Sequence, residues 1–294
     1  MGLDALPPVF RGSQAVACGA LTRGQLRGPA VRRLCRDVYT DARRRVTHEL
    51  RCRAVALAVP DGAVVTGRSA ATVRGVRLCW PEDAVQVLAP PEMRLGHRGG
   101  LDVRRTEIEP DDWQPWAEGR LATPMRLALD LLLGRALPDA VADLDAVLRA
   151  RMVERAAVAA LVARRCDNGI VLARRAVELA DARAESLPES KLRVQLVLDG
   201  LAPVPQHWIE DGSGRIARVD LALPEYKIAI EYDGDWRDGE SWALNRDRDR
   251  LNRVHAAGWE VVFVTAPLLR DHVRLQATVR AAIARRSHLG AVLL

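Results

Sequence analysis

The chain has 294 residues, 49% hydrophobic and 28% charged, which is enough for two domains of ordinary size and typical of a globular interior. A net charge of +6 with a pI near 9.5 admits a polyanionic partner, although only Lys191 and Lys227 are lysine and arginine carries nearly all the positive charge. A secretory leader is absent, the apolar run 127–133 is broken by Asp130, and five scattered cysteines include no C-x-x-C pair, so a cytoplasmic chain without a membrane span or zinc ribbon is expected.

Residues 1–45 read as a winged-helix-like start. Thr22 is placed to cap a small helix in ACGALTRGQLRG, and PAVRRLC predicts a short basic helix that runs into the strand CRDVYT, with Arg32 and Arg33 as DNA-contacting residues. Residues 46–183 read as an α+β and then helical middle region: a helix from His48 to Val59, strand AVVTG, helix SAATVRG capped by Ser69, and strands AVQVLAP and LDVRRTEI around the loop RLGHRGG. Thr123 with Pro124 opens the first of four helices that extend to about residue 183.

From residue 184 the pattern changes. Pro188-Glu189-Ser190 opens a helix that a C′ glycine, Gly200, ends. Strands HWIED, IARVDLAL and KIAIEYDG follow, then a polar helix from about 240 to 257, the apolar strand WEVVFVT, and a closing helix over about 270–286. The order α, β, β, β, α, β, α predicts a compact α/β unit over 184–294, with a central mixed sheet flanked by helices.

The acids in this unit need an explanation, because an unpaired buried carboxylate costs several kcal/mol. Alternation along KIAIEYD puts Lys227, Glu231 and Asp233 on one face, and along IARVDLAL it puts Ile216, Arg218 and Asp220 opposite Val219, Leu221 and Leu223. An in-register hairpin would then bring Asp220 against Glu231, a pair that calls for a shared proton, an arginine such as Arg218 or Arg193, or a cation. Mg²⁺ or Mn²⁺ held by Asp220 and Glu231 would suit phosphodiester hydrolysis, with Glu189 adding a further carboxylate.

PESKLR, RVDLALPEYKIAIEYDG, RDRDR and AAGWEVVFVT together resemble the PD-(D/E)XK restriction-endonuclease-like superfamily, in the branch related to very-short-patch-repair endonucleases. The N-terminal part resembles winged-helix AbiEi-type antitoxins. The resemblance implies a metal-dependent DNA endonuclease in which Glu189, Asp220, Glu231 and Asp233 belong to the catalytic set. It implies that the polar helix, with Arg246, Asp247, Arg250 and Arg253, orients the acids or meets DNA. Asp233 stands where that superfamily carries lysine, and Trp236-Arg237 where the branch carries histidine, which leaves Lys227 or Lys191 as stand-ins. A regulator that binds DNA without cutting it, and a protein that binds no nucleic acid, are the other two readings. Target sequence and oligomeric state are not encoded in these motifs.

Overall fold

The computed structural model describes residues 3–95, 99–117, 119–212, 214–234 and 241–292, with backbone alone for 241–248 and 289–292. The chain is mixed α/β and divides into two compact units that alternate along the sequence: Met1–Leu133 with Ala150–Ile170, and Gly134–Arg149 with Val171–Leu294. No helix among the described residues is long and apolar enough to cross a membrane.

The first unit begins with β1 (Phe10–Arg11), α1 (Gly12–Ala17), β2 (Val31–Cys35) and β3 (Val38–Asp41), a three-stranded antiparallel sheet in the order β1-β3-β2. The stretch expected as a basic helix is therefore the strand β2. Arg36-Asp37 closes a tight hairpin with Asp37 at φ +57°, a left-handed conformation that Asp tolerates better than most residues. Thr22 is not the cap of the 3₁₀ turn Gln25–Arg27, whose N-cap is Gly24; it exchanges two bonds with Gln25 instead, its Oγ1 accepting from the Gln25 N–H at 3.2 Å and its N–H donating to Gln25 Oε1 at 2.7 Å.

Helix α2 (His48–Ala58) follows, capped by the Thr47 side chain. Then come β4 (Val64–Val65), α3 (Gly67–Val73), β5 (Val85–Ala89), β6 (Leu101–Arg105), β7 (Trp113–Trp116) and β8 (Gly119–Ala122). The strands form a mixed sheet, β6-β5-β4-β8-β7. Ser69 does not cap α3, since Thr66 holds that position. Ser69 lies fully buried inside the helix, where its hydroxyl meets His48 Nε2 at 2.8 Å and accepts from the Gln86 N–H at 2.9 Å. Four helices complete the middle of the chain, as expected: α4 (Pro124–Leu132), α5 (Leu137–Arg149), α6 (Arg155–Ala163) and α7 (Ile170–Leu179). Thr123 caps α4, and Arg126 on it is buried between Asp112 and Asp130.

The second unit holds α5, α7 from Val171 onward, α8 (Leu187–Leu198), β9 (Val204–Asp211), β10 (Gly214–Leu223), β11 (Ile228–Asp233), α9 (Ser241–Ala256), β12 (Glu260–Thr265), α10 (Ala266–Arg270) and α11 (His272–Val292). Sheet order is β12-β11-β10-β9, with β11 and β12 parallel and the other pairs antiparallel. The apolar alternation dictates two covers. Leu221, Leu223, Ile228 and Ile230 pack with Leu192 and Leu196 of α8 and Leu275 and Val279 of α11. Ala217, Val219, Ala222 and Ala229 pack with Val254 of α9. Helix α8 also receives α5, through the buried pair Arg193–Asp145 at 3.0 Å and the pair Lys191–Asp139 at 2.6 Å.

Candidate functional site

The start of α8 sets the first acid. Ser186 caps the helix by accepting from the Glu189 N–H at 3.3 Å, and Glu189 sits in the first turn, 7% exposed, where the helix dipole favours a carboxylate. Its Oε2 accepts from the Glu185 N–H and from Gln206 Nε2, both at 2.9 Å.

Gln206 marks an irregularity that the alternation rule does not foresee. Residues two apart on a strand share a face, yet Val219 packs on the α9 side and Leu221 on the α8 side. The strand therefore turns over at Asp220. Across β9, Gln206 falls between the pairs Val219↔His207 and Leu221↔Pro205 and has φ +53°, so both strands are irregular at this point. The expectation that Val219 shares a face with Leu221 and Leu223 is corrected accordingly.

The β10–β11 ladder ends at Leu221↔Ile230, and Asp220 and Glu231 stand just past its last pair. There the Asp220 carboxylate replaces a main-chain carbonyl, with Oδ2 accepting from the Tyr232 N–H at 2.9 Å. Desolvation, then the neighbouring charge of Glu189, pushes the Asp220 pKa up to about 6; Glu231 and Glu185 add to the rise and the Tyr232 N–H opposes it. Glu231 is held by Arg250 of α9 in a bidentate pair, Nη1 to Oε1 at 2.7 Å and Nη2 to Oε2 at 2.9 Å. The arginines named from sequence as partners are engaged elsewhere: Arg218 with Glu185 at 2.8 Å, and Arg193 with Asp145.

The remaining expected residues are dispersed. Asp233 ends β11 on the rung with Thr265, two residues beyond Glu231. Lys227 does not join the acids. It precedes β11 in the left-handed conformation at φ +50°, with its carbonyl accepting from the Glu260 N–H, at the end of the strand remote from Asp233. At about 3.3 Å per residue, Lys227 lies four residues, roughly 13 Å, from Glu231 along the strand. Lys191 is turned to Asp139. Arg253 faces Asp211 at 3.9 Å. Arg32 and Arg33 are exposed on β2, bonded to the carbonyls of Ala42 and Cys35. The side chains of Arg246, Asp247 and Trp242 lie outside the described residues, as do Trp236, Arg237 and residues 96–98 of the RLGHRGG loop.

The site is thus an acidic rung with Glu189 on one side and an arginine clamp on the other. Among the described residues no group of three His, Cys, Asp or Glu is arranged to hold a metal ion. The donor chemistry of Asp220 and Glu231, neighbouring hard carboxylate oxygens, suits a divalent cation completed by other oxygens. Sequence reasoning missed Gln206, because a lone glutamine gives no sign of a positive φ.

No model of a known protein family matches the chain. Two uncharacterized proteins of Mycobacterium tuberculosis, MT2308 of strain CDC 1551 / Oshkosh and Rv2248 of strain ATCC 25618 / H37Rv, are each 38% identical over 173 residues, 57% of this chain. The chain spans 62% of the length of those relatives. Among solved structures, the RV2827C protein of Mycobacterium tuberculosis is 16% identical with a TM-score of 0.41, over 71% of this chain and 85% of that one. The catalytic domain of homing endonuclease I-Bth0305I is 20% identical with a TM-score of 0.29, over 34% of this chain and 95% of that one.

Proposed function

We propose that the chain binds DNA through arginine-rich surfaces and that its second unit hydrolyses phosphodiesters with Mg²⁺ or Mn²⁺. The observation that carries this reading is the acidic pair itself: Asp220 stands at the end of a ladder near Glu231 and Glu189, with its pKa raised by desolvation first and then by the charge of Glu189, to which Glu231 adds. Fixed carboxylates under mutual repulsion gain most from a bound cation. Asp220 and Glu231 would hold the ion, and Glu189, through Gln206, would fix the Asp220 rung in place. When bound, the ion supplies Lewis-acid stabilisation of the phosphate and a more acidic water. Arg250, Arg253, Arg32 and Arg33, with Arg246, are the proposed DNA contacts. Asp233 stands in place of a triplet lysine and Lys227 lies at the far end of the strand, so no lysine is proposed as the general base.

The bidentate Arg250–Glu231 pair favours a second reading, a DNA-binding regulator in which an arginine stands in for the cation and no cleavage occurs. Incubation with supercoiled plasmid and with single-stranded DNA, with Mg²⁺, Mn²⁺ or EDTA, separates the two. Nicking that needs metal and is lost in Asp220→Asn and Glu231→Gln supports the nuclease. DNA binding that weakens with salt but never leads to nicking supports the regulator. Absence of binding at low salt overturns both.

A further inference from the structure

The first unit contains a cavity of about 160 Å³, open on one side, that the nucleic-acid reading does not use. One face of α2 builds its floor: Arg51, Ala54, Val55 and Ala58 recur at helical spacing, and the alanines leave room where larger side chains would close the core. Leu34 of β2, Leu101 of β6, Val59, Pro60 and Leu95 add to the apolar lining.

Three guanidiniums border this apolar space: Arg51 on α2, Arg36 at the β2–β3 turn and Arg94 in the turn after β5. Arg51 is oriented by a bond to the Pro81 carbonyl. Gly100, at φ +90°, makes room for it, since a Cβ there would lie 2.8 Å from Arg51 Nη2. Arg36 and Arg94 are exposed, and among the described residues neither has an ion-pair or hydrogen-bond partner. An apolar chamber whose rim carries unneutralised positive charge is complementary to an apolar body with an anionic head. The volume is close to that of an engineered cavity of about 150 Å³ that takes up benzene, so the body is about one six-membered ring.

We infer that the first unit binds a small organic carboxylate, a ring-sized apolar group in the α2 chamber with its carboxylate between Arg36 and Arg94. The test is calorimetric titration of the full chain with benzoate, using acetate and benzyl alcohol as probes of the head alone and the body alone. Benzoate is expected to bind at least about tenfold more tightly than either, as a charge-assisted bidentate contact added to apolar burial implies. The double variant Arg36→Ala/Arg94→Ala changes only exposed side chains and should lose about tenfold or more in benzoate affinity. Ala58→Leu fills the chamber and should lose binding with its thermal unfolding still cooperative. Failure of benzoate to bind at low-millimolar concentration, equal binding of the neutral alcohol, or unchanged affinity in the arginine double variant would each overturn the inference. So would a double variant whose main loss is affinity for a DNA oligonucleotide that benzoate does not displace, because the arginines would then belong to a nucleic-acid surface.

Discussion

Arg250 reaches both oxygens of Glu231, at 2.7 and 2.9 Å, so a positive charge already occupies the carboxylate that the acidic rung would offer to a metal. A cation entering there must share Glu231 with the guanidinium or displace it.

Arg250→Ala should therefore have two opposite effects. Without divalent ions the variant loses the modest stability of a partly exposed pair, about 1 kcal/mol. With Mn²⁺ it should bind the ion about tenfold more tightly than wild type, since Glu231 is freed. Titration calorimetry decides the matter, and equal affinity in both proteins would show that Arg250 does not compete.

Asp220 predicts a pH dependence with a definite sign. Its pKa, raised to about 6, means that the folded chain keeps a proton which the unfolded chain has released, so stability present at low pH is lost as pH rises through about 6. Asp220→Asn should then stabilise the metal-free protein at pH 8 by about 1–2 kcal/mol after solvent screening, a few degrees in Tm, with no gain at pH 4. The Asn oxygen still accepts from Tyr232. A lower Tm at pH 8 would mean that the carboxylate is satisfied as an anion.

The pair Arg193–Asp145 is buried on both sides, and burial pushes Asp145 up to about 6 against the pull of Arg193. Removing one member leaves the other charge unpaired in the interior. Arg193→Ala should cost about 3–5 kcal/mol, while Arg193→Met with Asp145→Leu should recover most of that loss. Denaturant unfolding monitored by circular dichroism distinguishes the two variants.

His48 carries the opposite sign in the first unit. Its Nδ1 faces the Trp80 carbonyl at 3.1 Å, so Nδ1 bears the proton and Nε2 accepts from Ser69. Burial lowers its pKa from the ordinary value, so stability is lost as pH falls through and below about 6.5. Protection factors in α2 and α3, which correct for the intrinsic exchange rate, should fall from pH 7 to pH 5. His48→Gln should flatten that trend, and an unchanged slope would exclude His48 as its source.

The second unit was readable in the sequence because its signals are redundant. Pro188 and Gly200 bracket α8, apolar alternation defines β10 and β11, and Gly258 separates α9 from β12. The same alternation leaves Asp220 and Glu231 just past the last paired residues of β10 and β11, although it does not foresee the turn of the strand at Asp220. Lys227 misled because strand alternation was extended one residue into a left-handed turn. Strand β2 carries a helix signal, because Arg32 and Arg33 have good helix propensity, while the tight turn at Asp37 and pairing with β3 decide the outcome. The hairpin β7–β8 gave no alternation to read; Arg120 over Trp113 at 3.9 Å and Arg53 over Trp116 at 5.1 Å are contacts between segments distant in sequence or across the turn.

The interleaving of the two units has a consequence for how the polypeptide can be made and divided. The backbone passes between them after Leu133, after Arg149 and after Ile170, so neither is a continuous segment. A ribosome releasing the chain from its N-terminus delivers α5 before the rest of its unit exists, with Asp145 waiting for an arginine 48 residues downstream. A fragment that starts near residue 184 discards that helix and strands Arg193, and one that stops near 133 discards α6 from the other unit. No single scission yields two intact halves, so nicked or truncated forms are expected to aggregate rather than to persist as working domains.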